Sequence, residues 1–167
     1  MSKRVMIRPP RASDQIEFLA AVAASQRLHR SWVTPPQTAA SFRAQLLRLA
    51  QPQNHGFVVV RRDTGALVGV INLTNVILGP LRSGFVGFYA FAGNEKQGLM
   101  REGLSLVVRH AFRKLKLHRI EANIQPRNVA SIALVKSCGF TKEGFSPRYL
   151  KIAGRWRDHE RWALVAS

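Results

Sequence analysis

SGFVGFYAFAGNEKQGLMREGL, residues 83–104, is the stretch from which the fold can be predicted. It begins with an apolar run, 83–92, that predicts a buried strand. A loop with two glycines, Gly93 and Gly98, follows, and an amphipathic helix is predicted at about 98–115. Two basic residues, Lys96 and Arg101, flank the start of that helix. Because a helix N-terminus carries unpaired N–H groups and about half a unit of positive charge, the junction predicts either a phosphate-binding turn or an ordinary helix start.

Strands and helices alternate on both sides of this stretch, with no repeat and no low-complexity segment. The first helix is predicted with Ser13 as its N-cap and with Ile16, Leu19, Ala20 and Ala23 on one face. The order β-α-α-β-β-β-α-β-α-β-β predicts one α+β domain over residues 1–167 with a mixed sheet. The predicted elements are a strand at 4–8, helices at 13–25 and 38–50, a hairpin at 55–77 that turns at 63–65, a strand at 118–125, a helix at about 128–137, and closing strands around turns at 142–144 and 153–154.

Length and composition are those of one globular domain. The chain has 167 residues, of which 46% are hydrophobic, and no apolar run approaches the ~18 residues that a membrane span needs. The N-terminus, MSKRVMIRPPR, has no apolar core like that of a secretory signal. The single cysteine, Cys138, excludes an internal disulfide and a cysteine-based zinc site. We therefore expect a cytoplasmic protein without a metal, and the sequence leaves open whether it is a monomer or a homodimer.

The charge is unusually positive. Lys and Arg number 26 against 9 Asp and Glu, which gives a net charge of +17. Such a field attracts anionic partners, among them nucleic acid, the ribosome and phosphorylated cofactors. The basic residues are scattered along the chain rather than grouped in an arm. The alternative is that the charge only keeps the protein soluble.

Four segments together resemble one family: VGFYAFA (86–92), EKQGLMREGL (95–104), LHRIEANIQPRNVASIALVKSCGF (117–140) and EGFSPRYLKIAGRWRDHERWAL (143–164). They are similar to the GNAT superfamily of acetyl-CoA-dependent N-acetyltransferases. Within it, the chain is most similar to the RimJ/RimL-type ribosomal-protein-alanine N-acetyltransferases, and the resemblance covers residues 4–165. It implies a mixed, mostly antiparallel sheet, splayed between two central strands, with helices on both faces and acetyl-CoA in the gap.

The resemblance also implies which residues hold acetyl-CoA. The pyrophosphate turn falls on 95–100, where Gly98 matches the family pattern while Glu95 and Met100 depart from it. Because a carboxylate beside a pyrophosphate is unfavourable, we expect the Glu95 side chain to point away. Asn128 matches an asparagine that contacts pantetheine, although it can equally be a plain helix cap. The full set expected at the cofactor is Phe88, Tyr89, Ala90 and Phe91 on the strand, Lys96, Gln97, Gly98, Leu99, Met100 and Arg101 at the turn, and Asn128 and Ser131.

Candidate catalytic residues follow from the same resemblance. The strand position that often carries the base in this family is Asn123, which cannot be a base but can hold a water. Glu121 lies on the same face of the strand and is the first choice for the base, with an ion pair to Arg119 or Arg127 as the alternative. Ser131 is the candidate for binding or protonating the leaving sulfur. Val135 and Arg148 stand where relatives carry a tyrosine acid and a glutamate.

The sequence thus predicts an acetyl-CoA-dependent N-acetyltransferase. We expect direct attack in a ternary complex by the N-terminal α-amine of a protein, such as a ribosomal protein. Two alternatives remain open: an acetyltransferase for small amines or antibiotics, and a non-catalytic module on the same fold that binds acyl-CoA or the ribosome or RNA.

Overall fold

Seven strands form one sheet in the computed structural model, which describes residues 3–167. The strand order is β1-β2-β3-β4-β5-β7-β6, and every neighbouring pair is antiparallel except β4 and β5. The predicted α+β class and the mixed, mostly antiparallel sheet are therefore confirmed. The strands are β1 Val5–Arg8, β2 His55–Arg61, β3 Leu67–Ile77, β4 Ser83–Ala90, β5 Arg119–Ile124, β6 Thr141–Ile152 and β7 Arg155–Val165; the helices are α1 Gln15–Ala24, α2 Gln26–His29, α3 Ala39–Leu49, α4 Leu99–Arg113 and α5 Val129–Ser137.

Helices cover both faces of the sheet, and strand β2 shows why. Its consecutive residues Val58, Val59 and Val60 are all buried. Because successive side chains of a strand point to opposite faces, this run predicts a sheet that is covered on both sides. Val59 packs in the core beneath α4 and α5, whereas Val58 and Val60 pack with Phe18 of α1 and Phe42 of α3.

The N-terminal helix differs from its prediction. Residues 12–14 form a 3-10 turn, and α1 begins at Gln15 rather than at 13. Ser13 is not the cap. The carboxylate of Asp14 instead accepts hydrogen bonds from the Arg11 N–H at 2.7 Å and from the Arg8 guanidinium at 2.7 and 2.8 Å. This ion pair joins the end of β1 to the start of α1.

The core-facing side of α1 is consequently not the predicted one. Phe18 and Val22 are buried, while Ile16 is 84% exposed and Ala20 and Ala23 are exposed. The predicted turn at 142–144 is also wrong, because these residues lie within β6 at a register shift. A Cβ at Gly144 would lie 2.4 Å from Nη2 of Arg161, so glycine gives the space in which that side chain crosses the strand.

Replacing Asp14 tests the ion pair that orients α1. The Arg8 hydrogen bonds, against the opposing effect of burial, hold the pKa of Asp14 below its ordinary value of 3.8. Asp14→Asn leaves the partly buried Arg8 unpaired and should lower the free energy of unfolding at pH 7 by about 2–4 kcal/mol. A group with a lowered folded pKa stabilises the fold at high pH. The difference between wild type and variant should therefore be complete above about pH 5 and shrink as the pH falls below 3.8.

Urea unfolding at several pH values measures this difference. Asp63→Asn is the matched control, because its ion pair with Arg61 lies on the surface of the β2–β3 turn. Salt screens exposed pairs, so the control should be close to wild type. A difference for Asp14→Asn that stays constant down to pH 2 would contradict the ionic origin of the effect.

Candidate active site

The central strands β4 and β5 separate along their length. They pair in parallel at only three positions, Ser83–Phe85 against Arg119–Glu121. Beyond these pairs, β4 continues to Ala90 beside β3, and β5 continues to Ile124 beside β7. Two facing strand edges therefore lack a partner in this part of the sheet. Because an unpaired strand edge presents free N–H and C=O groups, an extended chain with amides can pair with it.

The direction of the β4 amides determines which groups face this gap. The N–H of Phe91 donates to the carbonyl of Val68 at 2.8 Å, toward β3. Since amides alternate along a strand, those of Phe88 and Ala90 face the gap. The side chain of Phe91 is 1% exposed in the core beside α1. Of the four residues 88–91 expected at the cofactor, Phe88, Tyr89 and Ala90 of β4 line the cavity at the gap, and Phe91, just after the strand, does not.

One gap-facing carbonyl already has a partner. Nε2 of His29 lies 2.8 Å from the Ala90 carbonyl oxygen, and because a carbonyl only accepts, this nitrogen carries the hydrogen. Burial lowers the pKa of His29, so the ring is neutral near pH 7. Helix α2 is thereby attached to the end of β4. His29 closes one side of the cavity, a role that the sequence did not indicate.

The loop between β4 and α4 ends in a helix start with free donors. Gly98 is the N-cap and has φ +75°, a left-handed conformation that glycine adopts without strain. The first helical hydrogen bond is that of the Glu102 N–H to the Gly98 carbonyl at 3.1 Å. The N–H groups of residues 99–101 thus come before the first helical hydrogen bond. Because the N-cap residue is Gly98, it has no side chain that could accept a hydrogen bond from them. This is the geometry that binds anions at a helix N-terminus.

The acids near this helix start have partners of their own. The Glu95 carboxylate accepts from the Gly93 N–H at 2.6 Å, so it folds back on its own loop. Glu102 accepts from the Arg4 backbone N–H at 3.0 Å and from the Arg4 Nε at 2.6 Å. Partial burial opposes ionisation of Glu102, but the Arg4 hydrogen bonds hold its pKa below the ordinary value. Glu102 is thus paired with a cation, and Glu95 is held by a backbone donor of its own loop.

Gln97, expected at the cofactor, stabilises the loop instead. Its side-chain Nε2 donates to the Gly93 carbonyl at 2.9 Å, and its own carbonyl accepts from Nη1 of Arg4 at 2.9 Å. It does not line the cavity, whereas the other five residues expected at the turn do.

The gap opens into a cavity of about 400 Å³. Its wall is mostly apolar, with polar groups at the α4 and α5 ends. It is lined by Leu28, His29, Trp32, Val33, Phe88, Tyr89, Ala90, Asn94, Glu95, Lys96, Gly98, Leu99, Met100, Arg101, Asn128, Ala130, Ser131 and Leu134. A smaller cavity of about 80 Å³ shares Trp32, Val33, Phe88, Asn128 and Ser131 with it and adds Val86, Gly87, Asn123, Ile124, Gln125 and His159.

The start of α5 lies between the two cavities. Asn128 is its N-cap, and Oδ1 accepts from the Ser131 N–H at 3.2 Å. The helix-cap interpretation of Asn128 is thus correct, and its side-chain N–H groups remain free for another contact. Ser131 lies in the first turn and lines both cavities.

Two polar atoms at the cavities are buried without a partner among the described residues: Oδ1 of Asn123 and the hydroxyl of Tyr89. Burial also raises the pKa of Tyr89, so the phenol stays protonated. Buried polar atoms in native proteins nearly always have partners. Their lack of one here indicates places where a ligand or a water completes the site.

Glu121, the expected base, is not brought to either cavity. It lies opposite Phe85, where β4 and β5 are still paired. Its carboxylate accepts from Nε of Arg119 at 2.7 Å, and Arg119 also pairs with Glu143. The alternative of an ion pair with Arg119 is what the structure contains. Asn123, two residues along the same face, does reach the smaller cavity.

Other kinds of site are not supported within residues 3–167. In that range no group of three or more His, Cys, Asp and Glu side chains is arranged to hold a metal ion. No helix there is both long and apolar enough to cross a membrane. A further cavity of about 550 Å³ lies between β1, β2, α3 and α4 and includes His55 and His110. No helix start lies among its lining residues.

Comparisons with known proteins agree with this geometry. Residues 4–141 match the acetyltransferase (GNAT) domain family. A probable N-acetyltransferase of Bacillus subtilis, YjcK, is 36% identical over 118 residues, which are 71% of this chain and 65% of that protein. The [ribosomal protein uS5]-alanine N-acetyltransferase of Escherichia coli is 38% identical over 103 residues, 62% of this chain and 53% of that protein. The matches thus span less than two thirds of these relatives.

Solved structures share the fold over nearly the whole chain. RimJ of Mycobacterium smegmatis, in complex with CoA-disulfide, has a TM-score of 0.90 and 29% identity, covering 97% of this chain and 82% of that one. Spermidine N-acetyltransferase of Vibrio cholerae, in complex with CoA and spermine, has a TM-score of 0.82 at 19% identity, covering 98% and 96%, and so is similar in fold alone. With the family match over residues 4–141 and the sheet divided between β4 and β5, the chain belongs to the GNAT acetyltransferase family.

Proposed function

We propose that this protein is an acetyl-CoA-dependent N-acetyltransferase whose acceptor is the N-terminal α-amine of a protein, such as a ribosomal protein. The observation that carries the proposal is the separation of β4 and β5 after three residue pairs. At this gap the larger cavity contains the start of α4, the smaller cavity contains Asn123, and Ser131 lines both.

The residues present suit acetyl-CoA, which supplies the acetyl group as a thioester. The N–H groups of residues 99–101, with Lys96 and Arg101 nearby, would hold the pyrophosphate. The gap-facing amides of Phe88 and Ala90 would pair with the amides of the pantetheine arm as a neighbouring strand would. Asn128 keeps free N–H donors for the same arm, because only its oxygen serves α5.

Direct attack by the amine is supported by the lining of the cavities. No cysteine lines either of them, and Sγ of Cys138 lies 3.8 Å from the Arg101 carbonyl oxygen. In this scheme Ser131, which lines both cavities, would donate a hydrogen bond to the departing sulfur. Asn123 Oδ1, buried without a partner, can hold a water beside the amine. Neither group forms a covalent bond to the acetyl group in this scheme.

The charge of the site favours a protein α-amine over a polyamine. Glu95 is the one carboxylate lining the two cavities within the described chain, and it is already bonded to the Gly93 N–H. A polycation needs several carboxylates, which these walls lack. The lining instead includes the apolar residues Leu28, Trp32 and Val33 of α2 and the segment after it, which suit a short peptide segment. The similarity to the E. coli enzyme for ribosomal protein uS5 points the same way.

Turnover against a panel of amines tests the proposal. Peptides with a free N-terminal alanine should be acetylated at the α-amine. The same peptides with a blocked N-terminus and an internal lysine, spermidine, and a cationic antibiotic should react at least about a hundredfold more slowly, because specific polar recognition discriminates by that order or more. Release of coenzyme A and peptide mass measure the reaction. Preferred acetylation of a small amine would establish the second candidate function, and no turnover of any amine would favour the non-catalytic module.

Two glycine variants show whether that turnover depends on the proposed phosphate turn. Gly98 and Gly65 have the same φ of +75°, but Gly65 lies in the β2–β3 turn, away from the cavity. A Cβ in this conformation costs about 1–2 kcal/mol at either position. At Gly98 it would also lie 3.3 Å from Nη2 of the flexible Arg4 side chain, whereas at Gly65 no described residue beyond its chain neighbours lies within 4 Å. Only Gly98→Ala should weaken coenzyme A binding, by about tenfold or more, in calorimetry. An equal loss of coenzyme A affinity in Gly65→Ala, or no loss in Gly98→Ala, would contradict phosphate binding at this turn.

A second proposal concerns the positive charge. Strand β5 pairs with β7 only from Glu160 onward, so residues 146–159 of β6 and β7 form a two-stranded ribbon beyond the sheet. Trp156 is 61% exposed there, and Tyr149 and Leu150 are also exposed. Cations surround these side chains. They are Arg148, Lys151, Arg155 and Arg157, against one acid, Asp158.

Exposed aromatic rings between cations are the surface that single-stranded nucleic acid binds by stacking and charge. Coenzyme A brings only about four negative charges, which a helix start and a few cations neutralise, so most of the +17 surplus is left for a larger partner. We propose that the ribbon binds RNA weakly. We also propose that the protein acts in the cytoplasm, where a free thiol such as that of Cys138 stays reduced. The acceptor would then be met on or near a ribosome.

Filter binding of single-stranded RNA tests this second proposal. Affinity should fall steeply between about 50 and 300 mM salt, and Arg155→Gln should reduce the salt slope by about one unit. Arg113→Gln, also exposed but at the end of α4, is the control and should behave as wild type. If the two variants change RNA affinity and its salt dependence equally, the ribbon is not the RNA-binding surface. If RNA does not bind, or if its binding does not depend on salt, the proposal is wrong and the positive charge serves solubility.

A further inference from the structure

One buried histidine lies at the smaller cavity and has no part in the scheme above. His159 of β7 is 3% exposed and lines the cavity of about 80 Å³. Its Nδ1 lies 2.9 Å from the carbonyl oxygen of Arg157. Because a carbonyl oxygen only accepts, Nδ1 carries the hydrogen of the neutral ring. Nε2 is then a bare acceptor, and no residue from 3 to 167 donates a hydrogen bond to it.

The surroundings of His159 fix its ring. The ring packs edge-on against Tyr149, with centroids 6.4 Å apart. The bond from Nδ1 to the Arg157 carbonyl holds the opposite side of the imidazole. Both contacts come from the ribbon, so the tautomer is set by residues outside the cavity. Such fixing of one nitrogen by a hydrogen bond is how proteins prepare the other nitrogen for chemistry.

The cavity itself has room and partners for a water between Nε2 and an amine. About 80 Å³ exceeds the roughly 10–15 Å³ that one water requires. Asn123, whose Oδ1 is buried without a partner among the described residues, lines this cavity, and so does Gln125, whose amide nitrogen donates to the Ser31 carbonyl at 2.8 Å. No carboxylate lines this cavity among the described residues. Apart from solvent, His159 is its proton acceptor.

We propose that His159 is the general base of the acetyl transfer, an inference that rests on the function proposed above. Nε2 takes the proton of the acceptor amine, directly or through one water held by Asn123. The amine nitrogen forms a bond to the acetyl carbon as the carbon–sulfur bond breaks. The amine proton ends on the imidazole, and the sulfur leaves as the thiolate near Ser131.

Competing bases are placed less well. Nε2 of His29 carries its hydrogen to the Ala90 carbonyl, and the ring belongs to the wall of the larger cavity rather than the smaller one. Glu121 is bonded to Arg119 where the strands are still paired. Tyr149 is 38% exposed on the ribbon. His159 joins burial, a fixed tautomer and an acceptor nitrogen with no donor among residues 3–167, at the cavity that Asn123 and Ser131 also line.

Chemical rescue distinguishes a general base from a residue that only packs in the cavity wall. His159→Ala should lower kcat with an acceptor peptide by about 10²–10⁴-fold, the range for losing a general base, while coenzyme A affinity stays within about threefold. Added imidazole should restore at least about a tenth of the lost rate, and pyrazole, which has the same shape but is a far weaker base, should not. Equal rescue by both, or a kcat within about threefold of wild type, would overturn the proposal.

Two further variants guard against a folding defect and a rival base. His159→Asn keeps an N–H donor for the Arg157 carbonyl but has no atom at Nε2, so it should fold normally and still show the large loss of kcat. Glu121→Gln removes the rival carboxylate. If Glu121→Gln loses as much activity as His159→Asn, or if His159→Asn is as active as wild type, His159 is not the base.

A readout without turnover makes this inference separable from the proposed function. Two-bond 1H–15N spectra of the protein alone, labelled at histidine, should show His159 as the Nδ1–H tautomer with an unprotonated Nε2. Its Nε2 signal should shift when the acceptor peptide and coenzyme A are added together. The Nε2–H tautomer, or no shift with an acceptor that the enzyme does turn over, would overturn the assignment. If no amine of the panel is acetylated, the proposed function is wrong. The tautomer measured in the spectra still shows, independently of turnover, whether Nε2 of His159 is a free acceptor.

Discussion

The short parallel pairing between β4 and β5 is the constraint on which the rest of the site depends. The carbonyl of Arg82 accepts the N–H groups of His118 and Arg119 at 2.7 and 3.2 Å, which joins the starts of the two strands. After three pairs they part, and each keeps an antiparallel partner on its other side, so the sheet opens without being broken. Because parallel strands point the same way, the helices that follow them, α4 and α5, both begin at the open end. Ligands of mixed α/β sheets bind at such carboxyl ends.

Charge compensation explains how a site for an anion can contain acids. Glu95 is bonded to the Gly93 N–H, Glu102 to Arg4 and Glu121 to Arg119. Each carboxylate near the gap is thus held by a donor of the protein itself. What remains free at the cavity is the set of first-turn N–H groups of α4, together with Lys96 and Arg101. The local field therefore favours phosphate despite the acids in the sequence.

The sequence predicted the elements of the site better than their packing. The apolar run, the two glycines and the amphipathic pattern place β4, the loop and α4 correctly, because each is a local signal. The place where β4 and β5 stop pairing is not local, so alternation put Glu121 on the right face of β5 but could not tell that it lies below the opening. The rotation of α1 depends on the contact of Asp14 with Arg8 across a turn, which its helical pattern does not contain. His159 becomes a cavity residue only through its register opposite Ser146 in β6.

Hydrogen exchange of backbone amides with and without coenzyme A tests most directly whether the opening between β4 and β5 is the cofactor site. The amides of Phe88 and Ala90 on the β4 edge, and those of residues 99–101 at the start of α4, should exchange more slowly when coenzyme A is bound. The amides of β1 and β2 should be unchanged. Slowing centred instead on the cavity of about 550 Å³ beside His55 and His110, with none at Phe88, Ala90 or the start of α4, would contradict this assignment.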